Sequence, residues 1–114
     1  MTFIYKIVGA ADWRTAEAAG VFCGSGVDLG DGYIHFSTAA QAPETAAKWF
    51  EGRGDLLLAA VEADALGPAL RWEPARGGAL FPHLYAPLAL DAVVWTRPLP
   101  LGAEGRHLFG SLDP

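Results

Sequence analysis

A chain of 114 residues and 12.0 kDa has room for one compact domain, which excludes separate cofactor and substrate domains. Hydrophobic residues make up 52% of the chain, which is enough for a core that needs neither a metal nor disulfides. Thirteen acidic against eight basic residues give a net charge of −5, and this acidic field disfavours long nucleic acids and anionic membrane surfaces as partners.

The amino terminus and the cysteine content favour the cytoplasm. Residues 1–6 have neither the basic stretch nor the continuous apolar run of a signal peptide, and Cys23 is the single cysteine, so no intramolecular disulfide can form. The longest strongly apolar stretch, residues 56–61, is far shorter than the roughly 20 residues that cross a bilayer. We therefore expect a cytoplasmic protein without a membrane segment, folded as one domain over residues 1–114.

The chain opens with a predicted strand and a predicted helix. Residues 3–8 mix aromatic and β-branched side chains in the manner of a strand. Asp12 can cap a helix over residues 12–19, and Gly20 suits the position just after its end. The glycine-rich residues 21–31 predict a loop.

A second strand and a second helix follow that loop. Residues 33–36 predict the strand, and residues 38–41 have the form of a capping box. A proline at the start predicts a helix over residues 43–50. The apolar residues spaced three and four positions apart on this helix, which should face the core, are Ala46, Trp49 and Phe50.

The second half of the chain predicts strands. Residues 55–62 are apolar without alternation, which is typical of a central strand buried on both faces. Residues 70–73 alternate and precede a proline, which predicts an edge strand or the end of a strand. A last strand over residues 92–96 should end before Pro98. The chain is therefore predicted to be an α+β domain of short mixed strands with two helices near the amino terminus.

The first candidate functional group lies on the strand over residues 33–36. Because side chains alternate along a strand, Ile34 and Phe36 share one face while Tyr33, His35 and Ser37 share the other. A histidine therefore points away from the residues that form the core. Two interpretations stay open: a donor to a ligand oxygen, or a histidine satisfied by a backbone carbonyl or by Glu73.

Two further segments present polar groups on one face. Arg71 and Glu73 are two positions apart on a predicted strand, so they form either a solvated ion pair or part of a site. In the second case Arg71 or Arg76 clamps an anionic group while Glu73 orients a histidine or a ligand hydroxyl. Another segment, extended because of its proline, groups further ring side chains: Phe81, His83 and Tyr85.

These segments together resemble the small bacterial DUF952 family. The resemblance rests on Asp-Gly-Tyr-Ile-His-Phe-Ser-Thr at residues 31–38, Arg-Trp-Glu at 71–73, Arg-Gly-Gly at 76–78 and Phe-Pro-His-Leu-Tyr at 81–85. These motifs occur in the right order and cover nearly the whole chain. That family is similar at the fold level to ADP-ribosyltransferase-like domains, in which a strand-borne histidine followed by a small hydroxyl residue helps to hold a nicotinamide dinucleotide or a related phosphate ligand.

The resemblance implies a cleft for an NAD- or ADP-ribose-like, anionic small molecule. His35 with Ser37 or Thr38 matches the strand motif, and Tyr85 supplies a ring for stacking. The catalytic glutamate that such transferases carry on a late strand has no counterpart in residues 92–97, so Glu73 would have to replace it. The expected catalytic residues are His35 and Glu73. The expected ligand-binding residues are Tyr33, Ser37, Thr38, Arg71, Arg76, His83 and Tyr85.

Glycosidic or phosphate transfer is the reaction class that this resemblance implies. Two other interpretations remain open at this point. One is a non-catalytic binding or interaction module in which the same residues form a structural polar network. The other is a cysteine-dependent hydrolase that uses Cys23.

Overall fold

In the described part of the chain, two antiparallel three-stranded sheets, one two-stranded antiparallel sheet and three α-helices form the fold. The computed structural model describes residues 2–112, without the side chain of Arg76. The strands are β1 (Phe3–Gly9), β2 (Val21–Phe22), β3 (Ile34–His35), β4 (Leu56–Glu62), β5 (Leu70–Pro74), β6 (Leu80–Leu84), β7 (Leu88–Ala89) and β8 (Val93–Leu99). The helices are α1 (Ala10–Ala19), α2 (Val27–Asp31) and α3 (Ala42–Trp49). The prediction of the α+β class is confirmed.

The first sheet has the order β1-β4-β8 and contains most of the core. Its central strand β4 is buried along nearly its whole length, which confirms the prediction of a central strand covered on both faces. One face packs with α1 around Ile4, Val8 and Trp13, and the other packs with α3 around Tyr5 and Leu58. This arrangement makes β1 part of both cores.

The second sheet, β3-β6-β5, carries the polar motifs. It is joined to the first sheet because Tyr5 and Ser37 exchange backbone hydrogen bonds of 2.7 and 2.9 Å. Strand β5 lies at the edge of this sheet, as its alternating pattern predicts. The contact between β1 and the end of β3 places the histidine strand beside the first core.

Helix α1 ends at the predicted residue, Ala19, but begins two residues earlier than predicted. Gly9 is the N-cap, so Asp12 lies in the first turn of the helix and does not cap it. A carboxylate in the first turn still interacts favourably with the helix dipole. At the other end Gly20 has a φ of 78°, the left-handed conformation expected of the residue that ends a helix.

The prediction of a loop over residues 21–31 is wrong. The segment contains β2, which pairs with β7, and the five-residue helix α2. Neither element has a local pattern long enough to predict it, because a helix of one turn is not stable without tertiary contacts. The structure therefore has three α-helices in the amino-terminal half, where the sequence predicts two.

The prediction for α3 is confirmed in position but wrong for one side chain. Thr38 and Gln41 form the predicted capping box, with reciprocal bonds of 3.0 and 3.2 Å. Ala46 is buried, whereas Trp49 is 60% exposed. Only a narrow stripe of this eight-residue helix meets the core, so Trp49 lies beside the stripe rather than within it.

The last strand extends further than predicted. Strand β8 continues through Pro98 to Leu99, and Pro98 pairs in register with Leu57. Because β8 is an edge strand, a proline can occupy it when its missing N–H would have faced away from β4. Within residues 2–112 no helix combines the length and the apolar character that a bilayer crossing requires.

Replacing Leu58 with alanine tests the importance of the central strand. Leu58 is completely buried, so we expect Leu58→Ala to lower the free energy of unfolding by about 2–5 kcal/mol in urea denaturation. The same change at Leu29, which is 68% exposed on α2, is the control and should shift it by less than about 0.5 kcal/mol. Equal losses for both variants would contradict this account of the core.

Candidate functional site

A cleft of about 610 Å³ lies where β1 meets β3. Residues from β1, α2, β3 and α3 form most of its walls, and the end of β5 and part of β6 complete them. Four of the predicted site residues line it: Tyr33, His35, Ser37 and His83. Its volume falls in the range of small-molecule sites, which is roughly 300–1,000 Å³.

The buried carboxylate of Asp28 anchors one wall of the cleft. Its side chain is only 1% exposed, and the Lys6 ammonium lies 2.8 Å from Oδ2. The backbone N–H of Ser25 donates to Oδ2 at 3.1 Å, and the backbone N–H of His35 donates to Oδ1 at 3.0 Å. The ring Nδ1 of His35 is 2.6 Å from Oδ1. Asp28 thus connects β1, the loop before α2, and β3.

These contacts shift the ionisation of both charged partners. Burial alone would raise the pKa of Asp28, but the hydrogen bond from His35 and the charge of Lys6 outweigh it and lower the pKa to about 2. Burial lowers the pKa of Lys6, and the charge and hydrogen bond of Asp28 oppose that change. Asp28 is therefore a carboxylate at neutral pH, and its charge is what makes a buried lysine tolerable.

A glycine lets the chain wrap closely around Asp28. Gly24 has a φ of 107°, and a Cβ placed on it would lie 2.9 Å from the Cβ of Asp28. Any side chain at this position would both strain the backbone and push against the buried aspartate. Gly24 thus allows Ser25 to reach the carboxylate with its backbone N–H.

The second ring nitrogen of His35 contacts a half-exposed aspartate at the wall of the cleft. Nε2 lies 3.0 Å from the carboxylate of Asp31, whose side chain is 51% exposed. Since Nδ1 faces Asp28, both nitrogens can donate together only when the ring carries two protons. The Asp28 contact fixes the plane of the ring, and Asp31, which is half exposed, is the partner of Nε2 at the wall of the cleft.

The register of the second sheet places the ring side chains next to one another. His35 pairs with His83 on β6, and His83 pairs with Arg71 on β5. The ring of Tyr33 packs against His35, His83 and Tyr85, with centroid separations of 4.6, 4.3 and 5.0 Å. Tyr33 thus joins the cleft to the exposed face of the sheet.

Glu73 lies on that exposed face and does not line the cleft. Its Oε1 accepts a 2.6 Å hydrogen bond from the Tyr85 hydroxyl and lies 2.9 Å from Nδ1 of His83. The hydrogen bonds from Tyr85 and His83 lower the pKa of Glu73. The hydrogen bond between Tyr85 and Glu73 also raises the pKa of Tyr85. Glu73 therefore contacts the cleft only through His83, which has the geometry of a positioning residue.

The other predicted ligand-binding residues are placed outside the walls of the cleft. The Arg71 guanidinium lies over the Tyr85 ring, 5.3 Å from its centroid. Thr38 is occupied in the capping box of the turn that precedes α3. The side chain of Arg76 lies outside the described part of the structure. Cys23 is exposed and is also not among the lining residues.

Sequence reasoning missed several residues of the site. Lys6 and Asp28 form its buried ion pair, and Asp12, Asp31 and Arg53 also line the cleft. One pattern could have revealed Lys6, because it occupies the same strand face as Ile4 and Val8, where a lysine needs a buried partner. Residues 2–112 contain no group of three His, Cys, Asp or Glu side chains arranged to bind a metal ion.

Comparison with known proteins identifies the family. The family model described as "Protein of unknown function (DUF952)" matches residues 7–96. The chain belongs to the DUF952 family. A crystal structure of protein CC0527 from Caulobacter crescentus is similar to it, with a TM-score of 0.91 and 54% identity over 94% of each chain. The solution NMR structure of CC0527 has a TM-score of 0.83 and 56% identity, and covers 93% of this chain and 91% of that one.

The family match includes every motif on which the sequence resemblance rests. Residues 31–38, 71–73, 76–78 and 81–85 all fall within the matched region of this DUF952 protein. No curated protein matches the chain. The family and the similar structures therefore confirm the kind of fold, and they leave the ligand and the activity to be inferred from the site.

The Asp28 network predicts a loss of stability in acid. The folded pKa of about 2 lies below the ordinary 3.8, so this contribution is complete above about pH 4 and is lost as the pH falls toward 2. We expect about 2 kcal/mol of the free energy of unfolding to be lost from this group over that range. Denaturant titrations at several pH values measure the loss.

Asp28→Asn and a matched control separate this group from other carboxylates. The variant should be less stable at pH 7 by about 3 kcal/mol, because it leaves Lys6 buried without a counter-charge. It should also lose less stability than the native chain between pH 4 and pH 2. Asp91→Asn makes the same change at an exposed site and should retain the native profile. A native acid profile for Asp28→Asn would contradict the assignment.

Proposed function

We propose that this DUF952 protein binds an NAD- or ADP-ribose-like small molecule in the cleft between β1 and β3. The observation that carries the proposal is the orientation of His35, whose ring is fixed by Asp28 while Nε2 contacts the half-exposed Asp31 at the wall of the cleft, where a ligand hydroxyl can exchange with that carboxylate. A fixed donor at the wall of a preformed cleft is what recognition of a ligand oxygen requires. The proposed oxygen is a ribose hydroxyl.

The walls of the cleft supply the other contacts that such a ligand needs. Aromatic side chains offer surfaces on which a nicotinamide or adenine ring can stack, and Tyr33, Trp49 and Phe50 are among them. Ser37 and Thr45 lie 3.0 Å apart through their hydroxyl oxygens and add hydrogen-bonding capacity near the β1 contact. Ring stacking and hydroxyl recognition together favour a nucleoside-like ligand over a purely apolar one.

The resemblance to ADP-ribosyltransferase-like domains supports the same ligand class. His35 and Ser37, the residues that match the strand motif, both line the cleft, and the Tyr33 ring beside His35 packs against Tyr85. In this proposal His35 binds the ribose, and Glu73 positions His83 through its 2.9 Å contact. Arg71 contributes through the Tyr85 ring rather than by clamping a phosphate in the cleft.

The reaction class proposed for a catalytic form of this site is transfer or hydrolysis at an N-glycosidic bond. In hydrolysis the bond between the ribose and the ring nitrogen breaks, its electron pair leaves with the nicotinamide, and water supplies the hydroxyl with release of a proton. Positive charge develops on the ribose, and a nearby carboxylate lowers the energy of that state. Within the described cleft Asp31 is the exposed carboxylate beside His35.

A second candidate function is a non-catalytic module in which the polar residues form a structural network. The observation that favours it is that Asp28, Glu73 and His83 are already hydrogen-bonded within the protein. Under this alternative His35 holds β3 against α2, and no ligand depends on it. The two candidates make opposite predictions for a change at His35.

Calorimetric titration with NAD and with ADP-ribose tests the proposal. His35→Asn retains an amide close to the position of Nδ1 but removes the group at Nε2. We expect it to keep a melting temperature close to that of the native protein while weakening binding by about tenfold or more. Chromatographic detection of nicotinamide released from NAD distinguishes a catalytic site from one that only binds.

The outcomes separate the two candidate functions. Absence of binding to both NAD and ADP-ribose by the folded native protein removes the proposed ligand class. A large drop in melting temperature for His35→Asn, together with native affinity, favours the structural network instead. Loss of affinity at an unchanged melting temperature supports the ligand site.

A further inference from the structure

The charged side chains that line the cleft are unbalanced toward acid. Among its described lining residues are the carboxylates of Asp12, Asp28 and Asp31, against the cations of Lys6 and Arg53. Lys6 is committed to Asp28 at 2.8 Å and is buried, so it has no charge to offer to a ligand. The charge that the cleft presents to a ligand therefore depends on Arg53 and on the two other aspartates, Asp12 and Asp31.

Arg53 lies near two carboxylates, those of Asp55 and Asp12. Its Nε lies 3.4 Å from Asp55, and the guanidinium lies over the Phe50 ring. Arg53 and Asp12 both lie close to Gly9. A Cβ placed on Gly9 would be 3.2 Å from Nη2 of Arg53 and 3.4 Å from Oδ2 of Asp12. Because the pair of Arg53 with Asp55 is exposed, it offsets the positive charge of Arg53 only in part.

Asp31 places negative charge beside the aromatic wall. Its carboxylate is half exposed, lies 3.0 Å from Nε2 of His35, and contributes with burial and Glu73 to raising the pKa of Tyr33. The Tyr33 ring packs on His35 at 4.6 Å between centroids, so carboxylate and ring border the same part of the cleft. An aromatic face next to a carboxylate attracts a cationic ring and repels an anionic one.

We propose that the cleft selects a positively charged N-heterocyclic riboside over its anion-bearing analogue, with Asp31 as the specificity-determining residue. This inference rests on the proposed function and adds a charge preference to it. The pyridinium ring of a nicotinamide riboside fits that preference. A carboxylate on the same ring opposes it, because the added negative charge lies beside the Asp31 carboxylate at the aromatic wall.

Two ligands of nearly identical shape test this selection. Nicotinamide riboside carries an amide on its pyridinium ring, and nicotinic acid riboside carries a carboxylate at the same position. We expect the native protein to bind the amide form about tenfold more tightly in calorimetric titrations at low ionic strength. Raising the salt concentration should reduce this ratio, since the aspartate is partly exposed to solvent.

Asp31→Asn assigns the preference to one residue, with Asp91→Asn as the matched control. The first variant should lower the ratio of the two affinities to about twofold or less, mainly by binding the carboxylate form more tightly. Asp91→Asn removes the same charge at an exposed position outside the cleft and should keep the native ratio. Melting temperatures of both variants verify that they are folded.

The results distinguish failure of this inference from failure of the proposed function. Equal native affinities for the two ribosides, or an unchanged ratio in Asp31→Asn, overturn the charge selection and leave a nucleoside-like site in place. Absence of binding to both ribosides, to NAD and to ADP-ribose removes the proposed function and the selection with it. A native preference that Asp31→Asn abolishes and Asp91→Asn retains supports both.

Discussion

The structure of the cleft depends on one buried carboxylate. Asp28 accepts hydrogen bonds from Ser25 and from the backbone of His35, contacts the His35 ring, and forms an ion pair with Lys6. Moving a carboxylate out of water is costly, so a buried one persists only where its lone pairs are satisfied. The segments that satisfy Asp28 are thereby held together, and they are the segments that form the walls of the cleft.

The site has a rigid side and an exposed side, and His35 lies between them. Toward the core its Nδ1 is fixed by Asp28, which is nearly inaccessible to solvent; toward the cleft its Nε2 meets the half-exposed Asp31. Tyr33 extends this arrangement across the second sheet to His83 and Tyr85. An oriented imidazole beside an aromatic ring and a carboxylate suits a ligand that combines a sugar with a planar base. The same ring and carboxylate underlie the proposed preference for a positively charged base.

Local patterns predicted the parts of the fold in which neighbouring residues decide the conformation. The apolar run of β4 indicated a buried central strand, and reciprocal bonds between Thr38 and Gln41 confirm the capping box. Alternation along residues 33–37 identified Ile34 and Phe36 as buried core residues and put Tyr33 and His35 on the opposite face, although Phe36 also borders the cleft. Helix α2 escaped prediction because a single helical turn depends on tertiary contacts, and Trp49 was misplaced because the buried stripe of α3 is narrow.

The sequence by itself determined the α+β class, the edge and central strands, and which face of β3 presents His35, because these follow from periodicities of a few residues. Only the tertiary structure decided which polar groups meet. Asp28 lies 22 positions from Lys6 and 7 from His35, and His83 lies 10 positions from Glu73. Such pairings arise from strand register and from the requirement that each buried charge find a partner, and no local pattern contains that information.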